Sequence, residues 1–89
     1  MTQDEYISWV GELAEQGRIT SVQAEDAVEQ RIIFDAQRPM IEDKYSGFAV
    51  GVVNGDLIVE GSVDSLLDWA SARFPDRMVY FEPIGYRAF

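Results

Sequence analysis

The chain contains neither cysteine nor histidine, and Lys44 is the single lysine among its 89 residues. Without cysteine, disulfide bonds and thiol nucleophiles are excluded, and without histidine the usual general base at neutral pH is missing. Thiolate and imidazole metal sites are excluded as well. The lack of cysteine fits a reducing compartment, so we expect a cytoplasmic protein. These absences favour a protein that is not an enzyme and that holds no cofactor or metal.

Long apolar runs and a basic N-terminus are also lacking, so we expect neither a signal peptide nor a membrane span. The hydrophobic fraction of 47% is typical of a folded chain and argues against disorder. We expect a single domain over residues 1–89. Its predicted parts are a helical hairpin (1–38), a connecting turn (39–46), a ββαβ unit (47–83) and a tail (84–89).

Negative charge is what the chain has in excess. Sixteen acidic and seven basic residues give a net charge of −9, and both halves of the chain are acidic. Such a chain repels nucleic acid and anionic lipid and is attracted to basic surfaces. Solubility alone is the simpler interpretation of the same charge. We expect a protein partner, with no direct nucleic-acid binding and no membrane binding.

Two capping-box patterns predict the N-terminal helices. Thr2 with Glu5, and Thr20 with Gln23, have the spacing at which each side chain bonds the backbone N–H of the other. Gly17 is placed to end the first helix, and the second is predicted from about Ser21 to Ala36. Helical periodicity predicts the apolar faces, which comprise Tyr6, Trp9, Val10, Leu13 and Ala14 in the first helix and Val22, Ala27, Val28, Ile32 and Ile33 in the second.

Asn54-Gly55 predicts a β-hairpin with a two-residue loop, in which Val53 faces Asp56 and Val50 faces Val59. Side chains alternate between the two faces of this ribbon. One face is bulky, with Phe48, Val50, Val52, Leu57 and Val59. The other is lighter, with Ala49, Gly51, Val53, Asp56, Ile58 and Glu60. We expect the following Leu-rich helix on the bulky face, and the helical hairpin or a partner on the lighter face.

A third strand is predicted at Met78–Glu82, before Pro83. The longest apolar strand should lie in the middle of the sheet. The fold class is therefore α+β, with an N-terminal helical hairpin followed by a ββαβ unit whose three-stranded, mainly antiparallel sheet has the strand order 2-1-3.

The segment Lys44-Tyr-Ser-Gly-Phe-Ala-Val-Gly-Val-Val-Asn-Gly55 resembles a family of small prokaryotic ββαβ domains of unknown function. That family has a Tyr-x-Gly-aromatic-Val-Ala strand, a tight glycine turn and a Leu-rich helix. The resemblance extends over Lys44–Glu82, and the pair Ala49-Val50 departs from the family's Val-Ala. It implies a protein similar to the partner halves of two-gene bacterial cassettes, and hence interaction rather than catalysis.

The candidate chemistry is sparse. Lys44 would be a Schiff-base nucleophile only if desolvated, and its neighbours Glu42, Asp43 and Tyr45 favour a solvated ion pair instead. Carboxylates on the first two helices repeat at about 5 to 6 Å, comparable with phosphates along a nucleic-acid strand, although a solvated helix face explains them too. The candidate protein-binding residues are Glu12, Glu15, Glu25, Asp26, Glu29, Ile58, Tyr86 and Phe89.

Two functional hypotheses follow. The first is a non-enzymatic protein-interaction module, such as the antitoxin or regulatory half of a bacterial two-gene pair. The alternative is a phage-type anti-defence inhibitor, an anti-CRISPR protein or nucleic-acid mimic that blocks a basic nucleic-acid-binding enzyme. An enzyme would require a pocket of converging polar groups, and the sequence predicts none.

A homodimer is also predicted, because the apolar surface of two amphipathic helices and one sheet face exceeds what one helix covers.

Overall fold

The computed structural model describes residues 1–85, which form four helices and three strands. In chain order these are α1 (Gln3–Glu15), α2 (Ser21–Ala36), α3 (Arg38–Lys44), β1 (Ala49–Val53), β2 (Asp56–Glu60), α4 (Val63–Arg73) and β3 (Val79–Pro83). The sheet is antiparallel with the order β2-β1-β3, which confirms the predicted fold class. Within this range, none of the helices has the length and apolar character that crossing a membrane requires.

Both predicted capping boxes are present. The Thr2 hydroxyl accepts from the Glu5 N–H at 3.2 Å, and the Glu5 carboxylate accepts from the Thr2 N–H at 3.0 Å. Thr20 and Gln23 make the same pair of bonds at 3.0 and 2.9 Å. Gly17, with φ +73°, has the left-handed conformation expected after α1. Local hydrogen bonding therefore determines where α1 and α2 begin.

The hairpin has the predicted register, from Val53 opposite Asp56 to Val50 opposite Val59. Asn54 and Gly55 have φ values of +52° and +79°, as a type I′ turn requires. The turn is also held from outside, because the side-chain oxygen of Gln30 accepts from the Gly55 N–H at 2.9 Å. This bond ties α2 to the tip of the hairpin.

The two faces of the sheet are covered in the opposite way to our prediction. Helix α4 packs on the lighter face, where Leu66 and Ala70 form one cluster with Ala49, Val53 and Ile58. On the bulky face Val50 and Val52 pack against Ile84 and against Phe34 and Ile41, which belong to α2 and α3. We expected the Leu-rich helix on the bulky face and the helical hairpin or a partner on the lighter face, and both parts of this expectation are wrong.

Size complementarity explains this arrangement. A Cβ at Gly51 would lie 3.1 Å from Leu66 Cδ2 and 3.1 Å from the carbonyl oxygen of Tyr80. The glycine thus leaves a hollow on the lighter face, and the leucine fills it. Large side chains pack best against small ones, so a Leu-rich helix fits the face that has Gly51 and Ala49.

The buried face of α2 also differs from the prediction. Val22 and Ile32, expected to be buried, are 73% and 47% exposed, whereas Gln30 and Phe34 are fully buried. Gln30 is buried because its amide bonds the hairpin tip and the Asp26 carboxylate. A polar residue with such partners can occupy the core. Part of the apolar strip read from the sequence consequently lies on the outer surface of α2.

Candidate protein-binding groove

Helices α1 and α2 lie side by side in opposite directions. The Gln3 side-chain amide donates to Asp35 at 3.0 Å, and the Arg31 guanidinium donates to the Met1 carbonyl at 2.9 Å, which joins the start of α1 to the end of α2. Between the helices runs a groove with a volume of about 670 Å³. The groove is lined by Ile7, Val10, Gly11, Ala24, Glu25, Val28, Glu29, Ile32 and Ile33.

The lining of this groove is apolar and open to solvent. Ile7 is 37% exposed and Ile32 is 47% exposed, and within residues 1–85 the lining comes from α1 and α2 only. Complete burial of an isoleucine side chain stabilises a protein or a complex by about 1.5 to 3 kcal/mol relative to exposure. Concave, mostly apolar surfaces with a few charged groups are the usual place where ligands or partners bind. The groove is therefore the strongest candidate site among the described residues.

Gly11 forms part of the groove although it lies within α1. A Cβ placed there would have no heavy atom within 4 Å among the neighbours of the described chain. A glycine inside a helix destabilises it by about 0.5 to 1 kcal/mol relative to alanine. No contact within the structure thus requires a glycine at this position, and its missing side chain widens the groove.

Carboxylates lie along one side of the groove. Glu25 and Glu29 line the groove and also a second depression of about 280 Å³ that contains Asp26, Asp76 and Arg77. On α1, Glu15 follows Gly11 by four residues, so the same strip of α1 becomes acidic one turn beyond the groove. The acidic side chains thus lie towards the α1–α2 turn, away from the Ile-rich end.

The basic residue of these two helices is turned inward. Neither helix has a lysine, and Arg31 is their sole arginine. It is 5% exposed, its Nε donates to Asp35 at 2.8 Å, and its guanidinium lies 5.4 and 4.8 Å from the ring centres of Tyr6 and Tyr80. The outer surface of α1 and α2 is therefore acidic with no basic side chain of their own to neutralise it.

Asp26 has a structural role. Its carboxylate accepts from Arg77 at 2.9 and 2.7 Å, from the Met78 N–H at 2.8 Å and from Gln30 at 2.9 Å. The hydrogen bonds from Arg77, with the Met78 amide, lower the pKa of Asp26 below its usual value although burial acts in the opposite direction. These bonds join α2 to the segment before β3.

The other candidate residues are dispersed. Glu12 and Glu15 are exposed on α1, and Glu25 and Glu29 are exposed on α2. Ile58 is 7% exposed beneath α4, because that helix covers the lighter face, and so it does not belong to the open surface that we expected. Tyr86 and Phe89 lie outside the described residues. Among the described candidates, Glu25 and Glu29 line the groove, and Asp26 lines the neighbouring depression with them, whereas Glu12, Glu15 and Ile58 do not belong to the groove lining.

Sequence reasoning missed the groove residues Ile7, Gly11 and Ile32 as a binding surface. A signal was present, because α2 has apolar residues on more of its circumference than one buried strip requires. We interpreted both Val28 and Ile32 as core positions. Ala27 is buried and Val28 packs against the same cluster, as predicted, but the buried Gln30 and Phe34 turn the inward face so that Ile32 is exposed.

A second group of charged side chains joins α2, α3 and β3. Arg38 donates to Asp35 at 2.6 Å and to the two Glu82 carboxylate oxygens at 2.9 and 2.6 Å, and the Tyr80 hydroxyl donates to Glu82. Burial would raise the pKa of Glu82, but the bonds from Arg38 and Tyr80 lower it. Burial and the nearby Glu82 raise the pKa of Tyr80. Because these groups bond one another, we interpret them as structural.

Lys44 is exposed at the end of α3, as expected of a solvated side chain. Among residues 1–85, no group of three or more acidic side chains is arranged to hold a metal ion.

Comparison of the chain with protein-family models, with curated proteins and with solved structures gave no match. The resemblance to the prokaryotic ββαβ family therefore stays a prediction.

Proposed function

We propose that this protein is a non-enzymatic interaction module and that the α1–α2 groove receives an apolar segment of a partner protein. The observation that carries the proposal is the open apolar groove, with Ile7 and Ile32 exposed in it. An antitoxin, a regulatory subunit of a two-gene pair and an anti-defence inhibitor would each act by such binding.

The composition of the groove supports a protein ligand rather than a small molecule. Small-molecule sites combine an enclosed apolar pocket with a few polar groups that converge on the ligand. Here the charged groups in the lining are Glu25 and Glu29, one helical turn apart on the same helix. Two acidic side chains beside an otherwise apolar lining match the polar rim of a protein interface.

Nucleic-acid mimicry is the second candidate, and a specific observation favours it. Glu12 and Glu15 on α1, and Glu25 and Glu29 on α2, are all exposed. A mimic would bind a basic enzyme through carboxylates on both helices, with affinity that falls steeply as salt rises. Binding in the groove would instead depend on Ile7 and Ile32. The double variant Glu12→Gln, Glu15→Gln distinguishes these modes.

Selection from a random peptide display library tests the proposal. We expect enriched peptides that bind the wild-type protein and that lose binding to the double variant Ile7→Glu, Ile32→Glu. The matched control is Ser8→Glu, Ala72→Glu, which introduces the same charge at exposed positions outside the groove. Circular dichroism verifies that all three proteins are folded.

The outcomes are distinct. Peptides that bind the wild type and the control but not the groove variant support the proposal. Peptides that bind all three proteins equally, or a library that yields no binder, contradict it. Peptides that lose binding to the double variant Glu12→Gln, Glu15→Gln but still bind the groove variant would favour nucleic-acid mimicry.

A further inference from the structure

We infer that the occupant of the α1–α2 groove is an amphipathic helix of the partner protein, with lysine or arginine beside its apolar strip. The inference rests on the function proposed above and specifies the chemistry of the partner. Three features of the groove carry it, namely its length, the glycine in its wall and the sign of its rim.

The length of the groove suits a short helix. On α2 the lining extends from Ala24 to Ile33, which at 1.5 Å per residue corresponds to about 14 Å. A helix of about three turns has this length and presents anchors at i, i+3 or i+4, and i+7. An inserted helix lies parallel to the groove and completes a three-helix layer with α1 and α2, since packed helix axes lie about 8 to 10 Å apart.

Gly11 lets such a helix approach closely. A Cβ at Gly11 would have no neighbouring heavy atom of the described chain within 4 Å, and both Ala24 and Gly11 are small residues of the lining. A helix backbone or a large apolar side chain of the partner can therefore contact α1 directly at this point. The helix-weakening effect of the glycine is then offset in the complex by closer packing.

The rim determines the sign of the partner's charge. Glu25 and Glu29 separate the groove from the depression that contains Asp76 and Arg77. The Arg77 guanidinium donates to Asp26 at 2.9 and 2.7 Å and offsets part of the negative charge on that side, whereas α1 and α2 themselves have no outward basic side chain. A lysine or arginine next to the apolar strip of the partner would meet the Glu25 and Glu29 carboxylates on their groove side. At the end of the groove that contains Ile7 and Ile32, the partner helix needs only apolar side chains to fill it.

A second copy of this chain fits less well. Each copy carries a net charge of −9, and pairing groove to groove would bring Glu25 and Glu29 of both copies together. Like charges at short range oppose association. The groove thus complements a basic helix better than it complements itself.

The test uses three synthetic peptides, each about four helical turns long. The first has leucine at helical i, i+3, i+4 and i+7 positions with flanking lysines. In the second peptide the lysines are replaced by glutamates. The third peptide has the same amino-acid composition as the first, but its sequence is scrambled so that a helix has no apolar strip. Binding to the full chain is measured by calorimetry at about 0.15 M salt. We expect the first peptide to bind at least about tenfold more tightly than either of the others.

Protein variants locate the contact. Gly11→Leu should weaken binding of the lysine peptide at least about tenfold while the protein stays at least as thermally stable as the wild type, because a Cβ there meets no other atom and leucine favours a helix more than glycine does. Ser8→Leu, on the same helix but outside the groove, should bind like the wild type. Glu29→Lys should weaken binding of the lysine peptide. Asp68→Lys, which makes the same charge change at an exposed position of α4, should not.

Several results would overturn the inference. Equal binding of the three peptides, or binding unaffected by Gly11→Leu and Glu29→Lys, would do so while the display selection could still support the proposed function. A second copy of this chain would be the occupant if light scattering gave twice the monomer mass of 10.1 kDa for the wild type and the monomer mass for Gly11→Leu. Tighter peptide binding after removal of residues 86–89 would identify this chain's own terminus as the occupant.

Discussion

At Gly51 even one added methyl group meets other atoms. We predict that Gly51→Ala lowers the free energy of unfolding by about 1 to 2 kcal/mol, because its Cβ would lie 3.1 Å from both the Leu66 side chain and the Tyr80 carbonyl. Gly11→Ala is the matched control, expected to raise it by about 0.5 to 1 kcal/mol, since the site is open and alanine favours the helix. Urea denaturation measures both. Equal effects of the two variants would contradict the contact between α4 and β1.

Asp26 permits a second prediction at this scale. Asp26→Asn should lower the free energy of unfolding by about 1 to 2 kcal/mol, because the charge-assisted bonds to Arg77 and the Met78 amide weaken. Glu25→Gln is the control, since Glu25 is the exposed neighbour and removal of its charge breaks no such bond. Urea denaturation at neutral pH decides the matter. An Asp26→Asn protein as stable as Glu25→Gln would mean that the bonds to Arg77 contribute nothing measurable.

At the scale of elements, local signals predicted where each element lies. Capping boxes at Thr2 and Thr20 placed two helix starts, and the Asn54-Gly55 turn determined the register of the hairpin. Such signals work because the atoms that interact are a few residues apart. They do not specify which helix covers which face of a ribbon.

The choice of face depends on the shapes of distant residues. Leu66 fits over Gly51, and Gln30 is buried because Gly55 and Asp26 supply its hydrogen bonds. Neither contact has a signature in the sequence around the residues involved. Periodicity therefore placed Ala27 correctly towards the core, but it did not predict that Val22 and Ile32 face outward, and the groove was missed for that reason.

The bond from Gln30 to the hairpin tip makes a further prediction. Gln30→Met keeps the size of the side chain but removes the acceptor for the Gly55 N–H and the donor to Asp26. We expect faster hydrogen exchange of the Gly55 amide by NMR, while amides of the central strand β1 stay protected. Unchanged exchange at Gly55, in a variant whose fold is intact, would mean that α2 does not hold the turn.

For the molecule as a whole, the acidic residues separate into two sets. Asp26, Asp35 and Glu82 are bound to arginines and connect α2 with α3, β3 and the segment before it. Glu25 and Glu29 belong to the outer set beside the groove. The first set contributes to folding. The second set adds negative charge to the exposed surface beside the groove. Only the second set is available to a basic partner.

Acid titration of stability distinguishes the two sets. Arg77 and the Met78 amide lower the pKa of Asp26. For Asp35, burial acts in the raising direction, but bonds from its arginine partners lower the pKa. Glu82 behaves in the same way. A carboxyl with a lowered pKa in the folded state stabilises the fold above its unfolded pKa, and this contribution is lost as the pH falls through the folded pKa.

We therefore expect little loss of stability between pH 7 and the isoelectric region near 4.2, where the falling net charge also reduces self-repulsion. Below the ordinary carboxyl values of 4.5 for glutamate and 3.8 for aspartate, the urea midpoint should fall. Because protonated Asp26 resembles asparagine, the difference between wild type and Asp26→Asn should shrink in that same acid range. A midpoint at pH 3 equal to that at pH 6, or a difference that persists in acid, would show that these ion pairs do not stabilise the fold.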